Sequence, residues 1–235
     1  VFVRLRRPPS PTLFPYTTLF RSVLTLPLRE CAARCGVCLK TAYTMRHRLI
    51  ECLKAYSPGF HVGKGSACEL DETYFPESFK GNRTKGSFRM PRKAHRRGKE
   101  IHKRGLSCEQ ICVMTGMSDT DAVFFEVSGC GYLSKKRAMD ALRSRIGSGA
   151  VVATDKAHAY VDVLAELNVA SHESYSAKSR SAGTIKRINT VHSLLDTFMA
   201  RFKGVSTKHL AVYLDWFRWG RTFVTAGSRV AESTV

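Results

Sequence analysis

Two aspartates sit where a strand pattern would bury them. Asp71 lies inside the run ACELDETYF, residues 67–75, and Asp155 follows the apolar run VVAT at 151–154. An unpaired carboxylate inside a strand is expensive to desolvate, so one kept there needs a partner. The end of a buried strand is also where α/β proteins collect their sites. Two such carboxylates suit a hard divalent cation, because Mg2+ takes oxygen ligands and keeps several waters. Taken alone, each strand aspartate is more often a cap or surface residue than a ligand. A third element is the segment IKRINTVHSLLDTFMARFK, residues 185–203. Its Ile188, Val191, Leu195, Phe198 and Phe202 alternate in steps of three and four, the spacing of a core-facing helical stripe. Asn189, His192 and Asp196 form a second stripe beside it. A helix packed on the sheet would hold that stripe near Asp71 and Asp155. The plain alternative makes His192 a hydrogen-bonded boundary residue.

The elements that must position these groups are legible as patterns. Residues 110–117 and 122–127 read as adjacent strands split by a turn at Ser118-Asp119-Thr120-Asp121. Residues 134–146 read as a helix, with Ser134 as N-cap and Gly147 as stop. A short buried strand at 150–154, a helix at 158–167 and a strand at 169–175 follow. Helices at 185–203 and 207–219 end the pattern, leaving a tail at 221–235. Strands first, then alternating helix and strand, then helices, predict an α/β sheet of mixed strand direction.

Upstream, residues 23–56 read as a small helix-turn-helix module. Ala32 lets two helices approach, Gly36 turns the chain, and Leu28, Val37, Leu49 and Leu53 supply a core. Lys40, Arg46 and Arg48 then decorate the second helix, suited to phosphates and a major groove. An ordinary helical hairpin is the alternative. Cys31, Cys35 and Cys38 have the spacing of an iron–sulfur site, and with Cys52 that of a zinc site. They fall across the helical pattern, where small apolar residues are wanted, and are read as structural thiols. Residues 57–66, with Pro58, Gly59, Gly63 and Gly65, read as a linker.

Charge narrows the partner. The 235 residues carry 38 Lys or Arg against 19 Asp or Glu, a formal charge of +19. Residues 80–104 hold eleven Lys or Arg and one acid, Glu100. They include Arg92, Lys93, Arg96, Arg97, Lys99, Lys103 and Arg104. Such a density repels itself and is most simply neutralised by a phosphate backbone, so double-stranded DNA is the expected partner. With 43% hydrophobic residues, global disorder is excluded. No apolar run reaches the roughly 18 residues of a membrane span. Eight cysteines in a basic chain read as reduced thiols, placing the protein in the cytoplasm. The string TLFPYTTLFRS at 12–22 resembles the conceptual translation of a sequencing adapter. Residues 1–22 are therefore expected to be a non-native leader.

The segments ELDETYF, VVATDKAHAY and INTVHSLLDTFMARFKGVSTKHLAVYLDWF, with the basic insertion between the first two, together resemble an insertion-sequence transposase. The similarity is to the ISXO-like group of the DDE superfamily and runs from about residue 28 to residue 217. It implies a ribonuclease-H-like core at 67–220 with its insertion at 80–104, preceded by the helix-turn-helix. It implies metal-dependent DNA cleavage and strand transfer, with two Mg2+ or Mn2+ ions. Asp71 and Asp155 take the first two ligand places. The third place, a Glu in the family pattern N-x-x-E-S, is His192 here, within Asn189-Thr190-Val191-His192-Ser193. Asn189 and Asp196 are possible helpers, Asp196 and Met199 standing where relatives often place a Lys. A homo-oligomer on DNA is implied, and an amino-terminal zinc ribbon is expected to be missing. A regulator that binds DNA without catalysis, or a metal-dependent nuclease without strand transfer, remains the alternative.

Overall fold

The computed structural model describes residues 26–56, 59–82, 89, 107–155, 157–175 and 186–232. The leader at 1–22 and the basic positions 92, 93, 96, 97, 99, 103 and 104 lie outside the described residues. The chain divides into two compact units, Val1–Cys52 and Leu53–Val235.

In the first unit, helix α1 (Leu28–Cys35) is followed by α2 (Leu39–Leu53). Gly36 ends α1 in the left-handed region, at φ 63°, ψ 31°. Its N–H donates to Ala33 O at 3.2 Å, and the Val37 N–H donates to Ala32 O at 3.0 Å. This paired closure satisfies two orphan carbonyls and needs a residue without a Cβ at the turn. Leu53 is buried as expected, but the other buried positions differ from the expected core. Cys31, Ala32, Ala42 and Ile50 are buried, whereas Leu28, Val37 and Leu49 are only partly so. Arg46, expected on the DNA-facing surface, is buried too. Its guanidinium donates to Leu26 O at 2.6 Å and to Cys31 Sγ at 2.7 Å. The inward stripe of α2 runs through positions 42, 46 and 50, and Arg46 is tolerated there because its terminal Nη2 finds two partners.

The second unit is built on five strands: β1 (Ala67–Pro76), β2 (Gln110–Ser118), β3 (Val123–Cys130), β4 (Val151–Asp155) and β5 (Ser171–Tyr175). Their order is β3-β2-β1-β4-β5. The β3-β2-β1 part is antiparallel, and β1-β4-β5 is parallel. Helices α3 (Lys135–Leu142), α4 (His158–Glu166), α5 (Lys186–Ala200) and α6 (Leu210–Glu232) complete it. This mixed sheet, flanked by helices, has the ribonuclease-H-like arrangement.

Alternation along the strands divides the core in two. Cys68, Leu70, Met114, Phe124 and Val152 pack with α3 and α4 through Ala138, Leu142, Val163 and Leu164. On the other face, Ile111, Val113, Met117 and Val123 pack with α5 and α6 through Val191, Leu195, Leu214 and Phe217. Burial on both faces is why β2 reads as a nearly unbroken apolar run.

Three boundaries depart from expectation. Helix α3 starts as expected, the Ser134 side chain accepting from the Arg137 N–H, but ends at Leu142 instead of reaching 146. Its continuation is diverted by Val62, whose N–H donates to Arg145 O and whose carbonyl accepts from the Gly147 N–H, both at 2.8 Å. That pairing also draws the expected linker into the fold, with Phe60 and Val62 buried in the first core cluster. At the far end, α6 continues to Glu232 through much of the expected tail.

Candidate metal centre

The β1–β4 register decides the site. Pairing runs from Ala67↔Val151 to Leu70↔Thr154. β4 ends one residue later at Asp155, opposite Asp71, so from Glu72 onward that edge of β1 has no strand beside it among the described residues. Side chains from both faces of β1 can turn into the space. The carboxylates of Asp71, Glu72 and Asp155 meet there, each offering an oxygen within 4.8 Å of the others. Among the described residues this is the only group of three or more metal-ligating side chains so placed. The thiols of Cys31, Cys35, Cys38 and Cys52 do not form one.

Asp71 Oδ1 accepts from the Glu72 N–H at 2.9 Å. Asp155 Oδ1 accepts from the Ala157 N–H at 3.0 Å, just ahead of α4. Burial pushes the Asp71 carboxyl up to about 6, and the charge of Asp155 adds to the rise. Burial likewise pushes Glu72 up to about 7; nearby Tyr160 opposes the rise, while Asp155 and Asp71 add to it. Three acids held together against solvent in this way lack a positive charge.

Helix α5 is set on β1 by Glu69, whose Oε2 accepts from the Ile188 N–H at 2.8 Å. From there α5 advances one turn to His192 while β1 advances two residues to Asp71, and both steps cover about 6 Å. The His192 ring accordingly reaches Asp71, with Nδ1 3.5 Å from Oδ2. Burial lowers the imidazole to about 4, so it is neutral near pH 7. Its Nε2 is buried without a hydrogen-bond partner. His192 thus borders Asp71 but stands outside the three-carboxylate group. Asn189 and Asp196 are exposed on α5 and do not join it.

Elsewhere, Lys40 and Arg48 are exposed on α2. Lys80, the first residue of the basic insertion, serves the fold: its Nζ donates to Gly204 O at 2.9 Å, beyond the end of α5.

Sequence reasoning missed Glu72. Strict alternation sends it to the face opposite Asp71, which argues against a shared site. The available signal was the end of the VVAT run at Asp155, since a short β4 leaves β1 open from Glu72 onward. The donor set fits a hard cation: three carboxylates, with the Glu72 Oε1 atom buried and unpartnered.

No family model matches the chain, and no curated protein matches it. Solved structures do. One is a chain of the simian T-cell lymphotropic virus intasome in complex with PP2A regulatory subunit B56 gamma. It is 14% identical, with a TM-score of 0.34, over 68% of this chain and 51% of that one. The present chain thus spans about half of that chain's length. Another is a chain of a pre-cleavage Mos1 transpososome, 12% identical, with a TM-score of 0.28, over 89% of this chain and 77% of that one. Both superpositions are loose, and the strand order and register are what establish the fold.

Proposed function

We propose that the chain is a DNA transposase of the DDE type, resembling the ISXO-like group, that cuts and joins DNA strands with divalent cations. The observation that carries this reading is the convergence of Asp71, Glu72 and Asp155 at the open edge of β1 in a ribonuclease-H-like sheet. Mg2+ or Mn2+, bound as a pair, would supply Lewis acidity at the scissile phosphate. Asp71 and Asp155 would hold the cations, and Glu72 would add the third carboxylate that the helix lacks. His192, neutral at working pH, flanks Asp71 without adding a positive charge that would repel an ion. Phosphoryl transfer asks the protein mainly for positioning and charge neutralisation. The basic insertion, with Arg92, Lys93, Arg96, Arg97, Lys99, Lys103 and Arg104, supplies neutralisation along the DNA backbone. Lys40 and Arg48 on α2 contact transposon-end DNA, with Arg46 fixing α2 against the segment before α1. The working form is a homo-oligomer on paired ends.

The test is Mn2+-dependent nicking of a supercoiled plasmid, with Asp71→Ala and Asp155→Ala beside the parent. Each substitution should abolish nicking while leaving duplex binding in place. Neutralising Arg96 and Arg97 should weaken binding to every sequence and reduce the salt slope by about two. A second reading is favoured by the position of His192 outside the carboxylate group: a transposase-derived protein that binds DNA without cutting it. A parent that binds duplex DNA but neither binds Mn2+ nor nicks would establish that reading instead.

A further inference from the structure

Tyr160 lies on α4, five residues beyond Asp155, and is 0% exposed. Its hydroxyl is buried and interacts with the Glu72 side chain, short of a well-formed hydrogen bond. The Glu72 Oε1 atom is likewise buried and without a well-formed hydrogen bond. The two groups are close enough to act on each other: Glu72, with Asp71 and Asp155 behind it, helps hold the phenol well above its ordinary range, after the larger effect of burial. A dry phenol costs free energy that phenylalanine would avoid while filling nearly the same volume. Packing against the first core cluster therefore explains the ring of Tyr160 but not its oxygen. Of the two helix side chains bordering the acids, His192 faces Asp71 on one side of the sheet. Tyr160 faces Glu72 on the other.

We infer that Tyr160 is a positioning residue of the carboxylate site: with a divalent cation present, its hydroxyl donates to one oxygen of Glu72 and leaves the other for the ion. The inference rests on the metal-dependent reading above. A carboxylate with one oxygen anchored has fewer orientations to lose when it becomes a ligand. Anchoring matters more for Glu72 than for its neighbours. Asp71 and Asp155 are already fixed by backbone N–H donors, from Glu72 and Ala157 respectively. Glu72 has a longer side chain and an oxygen with no such donor.

The experiment is Mn2+ titration of the full chain at pH 8, reading the free ion by electron paramagnetic resonance, with thermal melting of the metal-free protein alongside. Tyr160→Phe should weaken Mn2+ binding 10- to 100-fold. It should leave the metal-free melting temperature unchanged or higher. In a Glu72→Ala background the same substitution should change nothing further, because Tyr160 acts through Glu72. Parent-like affinity in Tyr160→Phe overturns the inference, and so does an equal loss in the Glu72→Ala background. A large drop in the metal-free melting temperature would assign the hydroxyl to the fold instead. A parent that binds no Mn2+ overturns the metal reading itself, an outcome visible before any variant is compared.

Discussion

Asp71 and Glu72 are neighbours in sequence, and they lie on opposite faces of one strand that treat their acids differently. On the Asp71 side the bordering group is a histidine that keeps 14% side-chain exposure, beside an aspartate that keeps 17%. On the Glu72 side the bordering group is Tyr160, sealed from solvent within a core of aliphatic and aromatic side chains. Burial raises both acids, Glu72 to about 7 and Asp71 to about 6. A site at the end of a strand can thus draw one acid from each face, but each face must also supply a helix side chain to border it. The sheet edge brings the acids together, and the two helix layers set how dry each one is.

The largest test of this contrast lies in the packing of the Glu72 face. A Cβ added at Gly116 would lie 2.1 Å from Phe124 Cε1 and 2.9 Å from Leu70 Cδ2, both ring and branch of the first core cluster. Gly116→Ala should cost about 3 kcal/mol, the upper part of the range for overpacking. Urea denaturation reads that loss. Gly59→Ala, where an added Cβ meets nothing within 4 Å, is the control. A Gly116→Ala chain as stable as the control would mean that the Glu72 face is loosely packed, and the contrast between the faces would fail.

The pH dependence of the metal-free chain is the next test, because the two acids and the histidine that borders Asp71 carry opposite signs. Asp71 and Glu72 are raised in the folded state, from 3.8 to about 6 and from 4.5 to about 7. Their contribution is full below about pH 4 and is lost as pH rises through 6 and 7. His192 is lowered from 6.5 to about 4. Its contribution is full above pH 6.5 and is lost as pH falls through 4. Between pH 4 and 6.5 the two trends oppose each other in the parent. His192→Gln should uncover the acids, so that stability falls steadily from pH 4 to 7. Replacing Asp71 by Asn and Glu72 by Gln should uncover the histidine, so that stability rises over pH 4 to 6.5. Each group should contribute about 3 kcal/mol across its window. The acid replacements should also raise metal-free stability at pH 8 and remove the stabilisation that Mn2+ gives the parent. Equal slopes in all three chains would show that burial does not set the acids and His192 in opposition.

Most of the sheet was legible because its elements are strongly patterned. The VVAT run, the 110–117 run and the alternating stripe of residues 188–202 each announce one buried face or two. Asp71 and Asp155 followed from their placement in such runs. What was hidden depended on the ends of elements. Glu72 belongs to the site because β4 stops opposite Asp71, and strand ends are set by pairing, which no single segment encodes. Arg46 resembled a surface residue because charge normally faces water. Its burial is offset by bonds to the carbonyl of Leu26 and the thiol of Cys31. Val62 lay in a glycine-rich stretch that reads as linker, and its pairing with residues 145–147 comes from more than eighty positions away. Long-range pairing decides all three, whereas periodicity sees only the local chain.

The smallest test separates packing of the Glu72 face from the acids themselves. Helix α3 packs there through Ala138, Ala141 and Leu142, and it begins with Ser134 accepting from the Arg137 N–H at 3.4 Å. The long bond marks a weak cap, so Ser134→Ala should cost about 0.5–1 kcal/mol, the low end for an N-cap. The melting temperature should fall by roughly 1–4 °C for a unit of this size. Mn2+ affinity should not move, since α3 supplies no side chain to the carboxylates. If affinity fell with stability, the face would act on the site as a whole, and the role given to the Tyr160 hydroxyl would have to be shared with the packing around it.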